Sequence, residues 1–243
     1  MIELRNLTVA HRGHPAVHHL SGAFEAGSLT AIVGPNGAGK SSLLGAIAGQ
    51  LPVAQGDVKV EPGLRRRMAW LPQQALLDRS VPLDVADLVA LGAWAHIGSS
   101  RALIAALHER VDAALAAVGL AGFQQRLIGE LSAGQLQRAL FARVLMQDAP
   151  VILLDEPFNA IDARTTADLL VVVARWHSEG RTVIAVLHDL EQVRVHFDRA
   201  LLLARRCIAW GPVAEVLCAE HLLQARRMAE CWDETAPVCR EVA

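Results

Sequence analysis

One glycine-rich segment constrains this chain more than any other. Residues 34–41 read GPNGAGKS and match the phosphate-binding pattern G-x-x-x-x-G-K-[ST]. The apolar, β-prone run 29–33 precedes this segment, and residues 42–48 follow it with helical character. Glycines let a backbone wrap a phosphate closely, and the amides at the helix N-terminus then favour the anion. The sequence therefore predicts a strand, a phosphate-binding loop and a helix at this point.

Two side chains at the end of this loop carry its predicted chemistry. We expect Lys40 to reach the β- and γ-phosphates of a nucleotide, and Ser41 to hold Mg²⁺ through its hydroxyl. The residues predicted to surround the phosphates are Gly34, Pro35, Asn36, Gly37, Ala38, Gly39, Lys40, Ser41 and Ser42.

Length and composition favour a soluble, cytosolic protein. The 243 residues suffice for one large domain with a substantial core, and no apolar run reaches the length of a membrane span. The first residues lack the charged and apolar regions of a signal peptide. A net charge of −2 provides no global basic field for nucleic acid, which argues against DNA binding.

Cysteines and histidines form two groups with metal-ligating side chains. The cysteines make no C-x-x-C pair, so reduced structural thiols are a better interpretation than a metal-responsive tail. The histidines surround a Gly-Pro turn, so solvated loop residues are a better interpretation than metal ligands. The two groups are Cys207, Cys218, Cys231 and Cys239, and His11, His14, His18 and His19.

The pattern along the chain predicts an α/β core interrupted by helices. The first 30 residues alternate apolar and polar, which indicates a small antiparallel sheet. Continuous apolar runs at 151–154 and 182–187 are typical of a parallel sheet covered on both faces. Residues 201–203 and 207–210 predict a closing hairpin. We therefore predict one domain over 1–243, with the core at 1–81 and 149–215, an inserted helical subdomain at 82–148 and a C-terminal helical tail at 216–243.

A carboxylate pair follows the apolar strand 151–154. Asp155 at that strand end is suited to binding Mg²⁺ through water, which would complete the metal site begun by Ser41. Glu156 is one residue further and is a candidate general base for an attacking water. The alternative is that the two carboxylates only cap the following helix and have no catalytic role.

A second decisive motif leads to a family. Residues 131–135 read LSAGQ at the start of a helical pattern, where a helix N-terminus would favour a phosphate. This motif resembles the LSGGQ signature of the ATP-binding subunits of ABC transporters. The phosphate loop, the pair Asp155 and Glu156, and three single residues strengthen the resemblance. The resemblance covers nearly the whole chain, up to about residue 215, and its single residues are Gln73 of the Q-loop, Asp162 of the D-loop and the switch histidine His188.

The resemblance implies a fold and an activity. It implies a RecA-like P-loop ATPase core with a small antiparallel β-subdomain and an inserted helical signature subdomain. The cofactors would be ATP and Mg²⁺, with the metal held by Ser41, Gln73 and Asp155. The catalytic residues would be Glu156, His188 and Gln73, with His188 contacting the γ-phosphate.

The signature implies a homodimer. In the family it faces the γ-phosphate held by the other subunit, so two ATP molecules join two protomers, and hydrolysis lets the dimer open. The residues assigned to this contact with the partner's ATP are Leu131, Ser132, Ala133, Gly134 and Gln135.

Two positions depart from the family pattern. Ala133 replaces a signature glycine, which would cost on the order of 1 kcal/mol if the position required a positive φ. We expect ordinary dihedral angles there instead. His11 stands where the family often stacks a tyrosine on adenine, a contact worth roughly 1–3 kcal/mol. An imidazole offers less area, so we expect weaker adenine binding.

The segment after Gln73, which reads QALLDRSVPLDVADLV, is similar to that of the zinc and manganese importer subfamily. This resemblance implies a divalent metal as cargo, with zinc first, manganese second and iron chelates as a further alternative. It also implies a separate membrane permease, a periplasmic or extracellular metal-binding protein, and a location at the inner face of the membrane through the permease. An exporter subunit and an ABC ATPase outside transport are the competing classes.

Overall fold

The computed structural model describes residues 1–11, 14–73, 78–96 and 101–230. The chain divides into two units, one over Met1–Arg66 and Ile184–Ala243 and the other over Arg67–Val183. The first unit holds β1 (Ile2–His11), β2 (His14–Phe24), β3 (Leu29–Val33), α1 (Lys40–Ala48) and β4 (Gln55–Val60). The second holds β5 (Met68–Leu71), α2 (Val85–Ala90), α3 (Arg101–Ala117), α4 (Ala133–Met146), β6 (Val151–Asp155) and α5 (Ala163–Ser178).

The remaining elements return the chain to the first unit. The border between the units falls inside β7 (Thr182–Val186). After it come α6 (Leu190–His196), β8 (Arg199–Ala204), β9 (Arg206–Pro212), α7 (Val213–Val216) and α8 (Ala219–Glu230). Among the described residues, no helix is long and apolar enough to cross a membrane.

The antiparallel sheet of the first unit has the order β2-β1-β4. Its central strand β1 buries Ile2 and Leu4 and then Leu7 and Val9, so the apolar alternation changes phase within the strand. Asn6 lies at this change with φ 47°, and the β1–β2 register shifts between Leu4 and Leu7. This bulge keeps both apolar pairs on the core face, because one extra residue resets the two-residue period.

The second sheet of the first unit carries the predicted loop. Its strand order is β7-β3-β8-β9, with β7 contributing its last residues. All five residues of β3 are buried, and β8 pairs with it in parallel while β9 returns antiparallel. The predicted hairpin is therefore confirmed as β8 and β9. The phosphate loop leaves the carboxyl end of β3, where open α/β sheets place their ligands.

The second unit combines parallel strands with helices. Its strand order is β5-β6-β7, and β5 pairs with β6 in parallel. The described residues at 85–96 and 101–146 are largely helical, with α2, α3 and α4 packed on one another, as the sequence predicts. Trp176 is fully buried and stacks on Phe141 at a ring-centroid distance of 5.6 Å, which fastens α5 to α4. The predicted boundaries of the core, the helical insert and the tail stay predictions.

Candidate active site

The phosphate loop is built around glycines that no other residue can replace without strain. Gly37 and Gly39 have φ values of 75° and 90°, in the left-handed region. A Cβ atom at Gly39 would also come well within 3.0 Å of the Ala16 carbonyl oxygen and 2.8 Å from the Val17 side chain. At Gly37 a Cβ atom would meet nothing within 4 Å. The loop is therefore pressed against β2 at Gly39 and open to its surroundings at Gly37.

Lys40 is the first residue of α1 and is almost fully buried, with 6% of its surface exposed. Its Nζ donates hydrogen bonds of 2.9 Å to the carbonyl oxygens of Gly34 and Pro35. These bonds hold the ammonium group over the start of the loop. An ammonium group can donate up to three hydrogen bonds. The lysine predicted to bind phosphate is thus oriented by the loop itself.

His188 lies beside the same loop. A cavity of about 500 Å³ in the first unit is lined by Gly34 and Pro35 and by His188, which follows the end of β7 and is exposed. Residues of α8, including Leu222 and Arg226, line the same cavity. The structure thus brings the predicted switch histidine and the start of the phosphate loop to one cavity.

Glu156 is held in a strained conformation at the end of β6. Its φ is 50°, a left-handed value that costs of order 1 kcal/mol or more for a residue with a side chain. Gln73 Nε2 donates to Glu156 Oε2 at 2.8 Å, and Asn159 Nδ2 donates to the same oxygen at 3.1 Å. The N–H of Asn159 also donates to the Glu156 carbonyl oxygen at 3.2 Å. These bonds fix the carboxylate that the sequence assigns as general base.

Asn159 is a functional candidate that the sequence interpretation missed. It belongs to the D-loop segment, in which the family resemblance assigns a role only to Asp162. Asp155, the neighbour of Glu156, ends β6 with 6% of its surface exposed. Gln73, Asp155 and Glu156 thus belong to one unit, and the structure joins Gln73 and Glu156 directly.

The signature residues form the capped start of α4. Ser132 is the N-cap, its hydroxyl accepts from the Gln135 N–H at 3.2 Å, and the Gln135 side chain accepts from the Ser132 N–H at 3.0 Å. This reciprocal capping box satisfies two backbone donors of the helix end. The Leu131 carbonyl accepts a hydrogen bond from the Arg79 guanidinium. Ala133 begins α4 and is absent from the residues with positive φ, so alanine adds no strain there.

The D-loop aspartate lies beside the signature. Asp162 is the N-cap of α5, and its carboxylate accepts from the Thr165 N–H and hydroxyl at 2.8 Å each. These hydrogen bonds, the backbone bond first, lower the pKa of Asp162 below its usual range. A Cβ atom at Gly134 would lie 3.2 Å from Thr165 Oγ1 and 3.5 Å from Asp162 Oδ2. The signature helix and the D-loop therefore pack closely, which a glycine at residue 134 allows.

The histidines near the N-terminus show ordinary contacts where the structure describes them. His19 Nδ1 lies 2.9 Å from Asn6 Oδ1, and burial, followed by the charge of Arg206, lowers the pKa of His18. The side chain predicted to stack on adenine, that of His11, lies outside the described residues, as do Cys231 and Cys239. Within the described parts of the chain, no group of three or more His, Cys, Asp or Glu side chains is arranged to hold a metal ion.

Comparison with known proteins identifies the family. The family profile described as ABC transporter matches residues 17–159, more than half of the chain. This chain belongs to the ABC transporter family. ATP-binding proteins of this family bind and hydrolyse ATP, so the chain is an ATP hydrolase, as the sequence motifs predict.

Curated relatives match over most of this ABC ATPase. The zinc transport system ATP-binding protein TroB of Treponema pallidum is 39% identical over 228 residues, covering 92% of this chain and 86% of the relative. The manganese transport system ATP-binding protein MntB of Bacillus subtilis is 38% identical over 225 residues, covering 91% of this chain and 90% of the relative.

Solved structures confirm the ABC ATPase fold. The chain matches a protein described as a metal-chelate type ABC transporter in an inward-facing conformation, with a TM-score of 0.81 and 25% identity over 93% of this chain and 88% of that one. It also matches a dimeric bacterial ABC transporter cassette, with a TM-score of 0.78 and 25% identity over 88% of this chain and 99% of that one.

Proposed function

We propose that this ABC ATPase powers the import of a divalent metal, with zinc as the first cargo and manganese as the second. The observation that carries the proposal is the 39% identity to a zinc transport ATP-binding protein over 92% of the chain. A manganese transport relative at 38% supports the same class of cargo. The subunit works mechanically and does not touch the metal, so its own residues act on ATP.

Three side chains carry the proposed chemistry. Lys40 binds the β- and γ-phosphates, and its present bonds to loop carbonyls keep its ammonium group ready for them. Glu156 accepts a proton from the attacking water, and the amides of Gln73 and Asn159 orient its carboxylate. His188, beside the loop, contacts the γ-phosphate.

The residues predicted to bind Mg²⁺ fit a hard cation. Ser41, Gln73 and Asp155 offer a hydroxyl, an amide carbonyl and a carboxylate, which are the oxygen ligands that Mg²⁺ prefers. Because Gln73 Nε2 donates to Glu156, the Gln73 atom able to ligate the cation is Oε1. When bound, Mg²⁺ neutralises phosphate charge during phosphoryl transfer.

ATP joins two copies of the subunit in this proposal. The capped N-terminus of α4 offers backbone amides and a favourable dipole to the γ-phosphate held by the partner. The dimeric cassette that this chain matches at a TM-score of 0.78 supports such an assembly.

The permease would bind the helical part of the second unit. Val81, Leu91 and Leu127 expose 47%, 47% and 42% of their surface there, and Leu127 pairs with Asp84, three residues after Val81. Exposed apolar side chains of this kind are suited to packing against another protein. Through this permease the ATPase would sit at the inner face of the membrane, with a metal-binding protein as an indirect partner.

The test compares cells that lack this protein, cells that carry it and cells that carry Glu156→Gln. We expect the deletion strain to lose growth and cellular zinc in zinc-depleted medium, and zinc or the wild-type protein, but not Glu156→Gln, to restore both. Recovery by manganese alone would transfer the cargo assignment to manganese. Metal accumulation in the deletion strain would indicate an exporter, and unchanged metal content in both media would refute the metal-transport proposal.

A further inference from the structure

Arg205 occupies the turn between β8 and β9 in a strained conformation. Its φ is 59°, a left-handed value that glycine adopts freely and that costs free energy for a residue with a side chain. The flanking residues Ala204 and Arg206 pair with each other, so Arg205 forms the tip of the hairpin. Strain of this kind persists where the surrounding structure fixes the residue. The contacts of Arg205 show why the turn keeps a long side chain.

The backbone of Arg205 joins the phosphate loop to β2. Its N–H donates to the Ala38 carbonyl oxygen of the loop at 3.0 Å, and its carbonyl oxygen accepts from the His18 N–H of β2 at 2.6 Å. Because β2 lies at the edge of its sheet, its outer backbone groups need partners from outside the sheet. A glycine at residue 205 could make the same two bonds, since both use backbone atoms.

The side chain of Arg205 adds a bond further along β2. Its Nη1 donates to the Pro15 carbonyl oxygen at 3.1 Å. Pro15 is buried and has no N–H, so this carbonyl oxygen is its backbone polar group and needs a donor. The next residue, Ala16, has the carbonyl oxygen that a Cβ atom at Gly39 would overlap. Arg205 therefore clamps β2 onto the phosphate loop where the two are already in close contact.

The clamped segment lies near the tip of the β1–β2 hairpin. Pro15 pairs with Ala10, and the next pair is His11 with His14. His11 is the residue expected to contact adenine, at the opposite end of the nucleotide from the phosphates. The bond from Arg205 to Pro15 thus fixes the backbone next to His11 relative to the phosphate loop. A nucleotide that touches both places binds more tightly when they are held in place, because less ordering is needed on binding.

We propose that Arg205 is a positioning residue for nucleotide binding, which holds the hairpin end that carries His11 at a fixed distance from the phosphate loop. The proposal rests on the proposed adenine contact of His11 and is independent of the transported cargo. It accounts for an arginine at a strained turn, because glycine would keep the two backbone bonds but lose the bond to Pro15.

The test is a double-mutant cycle on the affinity for Mg-ADP, a nucleotide that avoids turnover, measured by calorimetry. It compares wild type, Arg205→Gly, His11→Ala and the double variant. Arg206→Ala is the control, because it removes one positive charge from an exposed residue of the same hairpin. We expect Arg205→Gly to weaken binding about 3- to 10-fold, part of what base stacking contributes. In the His11→Ala background this loss should disappear, because Arg205 acts through His11.

Steady-state kinetics and a conservative variant separate positioning from a structural role. Arg205→Gly should raise the KM for ATP by the same 3- to 10-fold and leave kcat unchanged, because the backbone bond to the phosphate loop remains. Arg205→Lys keeps a donor at the end of a long side chain and should recover most of the affinity. If Arg205→Gly does not fold, Arg205→Asn replaces it, since asparagine tolerates the left-handed region and is too short to reach Pro15.

Three results would overturn the proposal. They are an unchanged affinity of Arg205→Gly, an equal loss for Arg206→Ala, and a loss for Arg205→Gly that is the same with and without His11. An unchanged affinity of His11→Ala would refute the adenine contact and the proposal with it. Absence of ADP binding by the wild-type protein would instead refute the nucleotide site itself. Failure of metal transport in cells would refute the proposed function and leave these affinities unaffected.

Discussion

The phosphate loop offers a matched pair of substitutions whose effects on stability should differ. Gly37 and Gly39 both have left-handed φ values, so alanine at either one costs roughly 1–2 kcal/mol. Only Gly39 faces a second penalty, since its Cβ atom would overlap the Ala16 carbonyl and approach the Val17 side chain to 2.8 Å. The loop and β2 would have to separate by most of an ångström, and overpacking of this kind adds about 1–3 kcal/mol.

Urea unfolding of the nucleotide-free protein measures the pair. We expect Gly37→Ala to lower the free energy of unfolding by about 1–2 kcal/mol and Gly39→Ala by about 2–5 kcal/mol. In thermal unfolding each kilocalorie corresponds to roughly 2–4 °C for a chain of this size. Gly39→Ala should also weaken ATP binding, because the loop amides move with the backbone. Equal losses for the two variants, or a smaller loss for Gly39→Ala, would refute the packing of the loop against Ala16.

Three further predictions follow from individual contacts. Lys40→Ala should weaken ATP binding about 10- to 150-fold, the loss of one hydrogen bond to a charged group, whereas Lys59→Ala on the exposed face of β4 should leave calorimetric affinity unchanged. Ser132→Ala should cost about 1 kcal/mol in urea unfolding through loss of its cap, more than the exposed Ser178→Ala. The hydrogen bonds that lower the pKa of Asp162 stabilise its ionised carboxylate, and this contribution to the fold is fully present above about pH 4. Wild type should therefore lose stability relative to Asp162→Asn as the pH falls through the lowered pKa. Melting temperatures of the two proteins that change in parallel from pH 6 to pH 3 would contradict this.

Local sequence patterns predict most elements of the fold. The phosphate loop, the hairpin of β8 and β9 and the helices between residues 85 and 146 were predictable because each depends on nearby residues. The strand β4 is not among the predicted elements, although Val58 and Val60 alternate with polar neighbours and indicate a strand. The phase change at Asn6 could not be read as a bulge, since it becomes favourable only through pairing with β2.

Motifs identified the chemical groups of the site but not how they are held. The left-handed backbone of Glu156 leaves no trace in the sequence, because glutamate is not a residue that favours it. The role of its partner Asn159 is not predictable for a related reason, because it depends on contacts that only the folded second unit creates. The mild Ala133 substitution, in contrast, was predictable, since a helix start tolerates a methyl group.

In the proposed function ATP joins two copies of this subunit, and hydrolysis with Glu156 as general base lets them separate. Sedimentation of Glu156→Gln with and without Mg-ATP, together with its rate of phosphate release, tests this most directly. We predict a monomer without nucleotide, a dimer at saturating Mg-ATP, and almost no phosphate release. A Glu156→Gln protein that stays monomeric with Mg-ATP, or that hydrolyses ATP at the wild-type rate, would contradict the account.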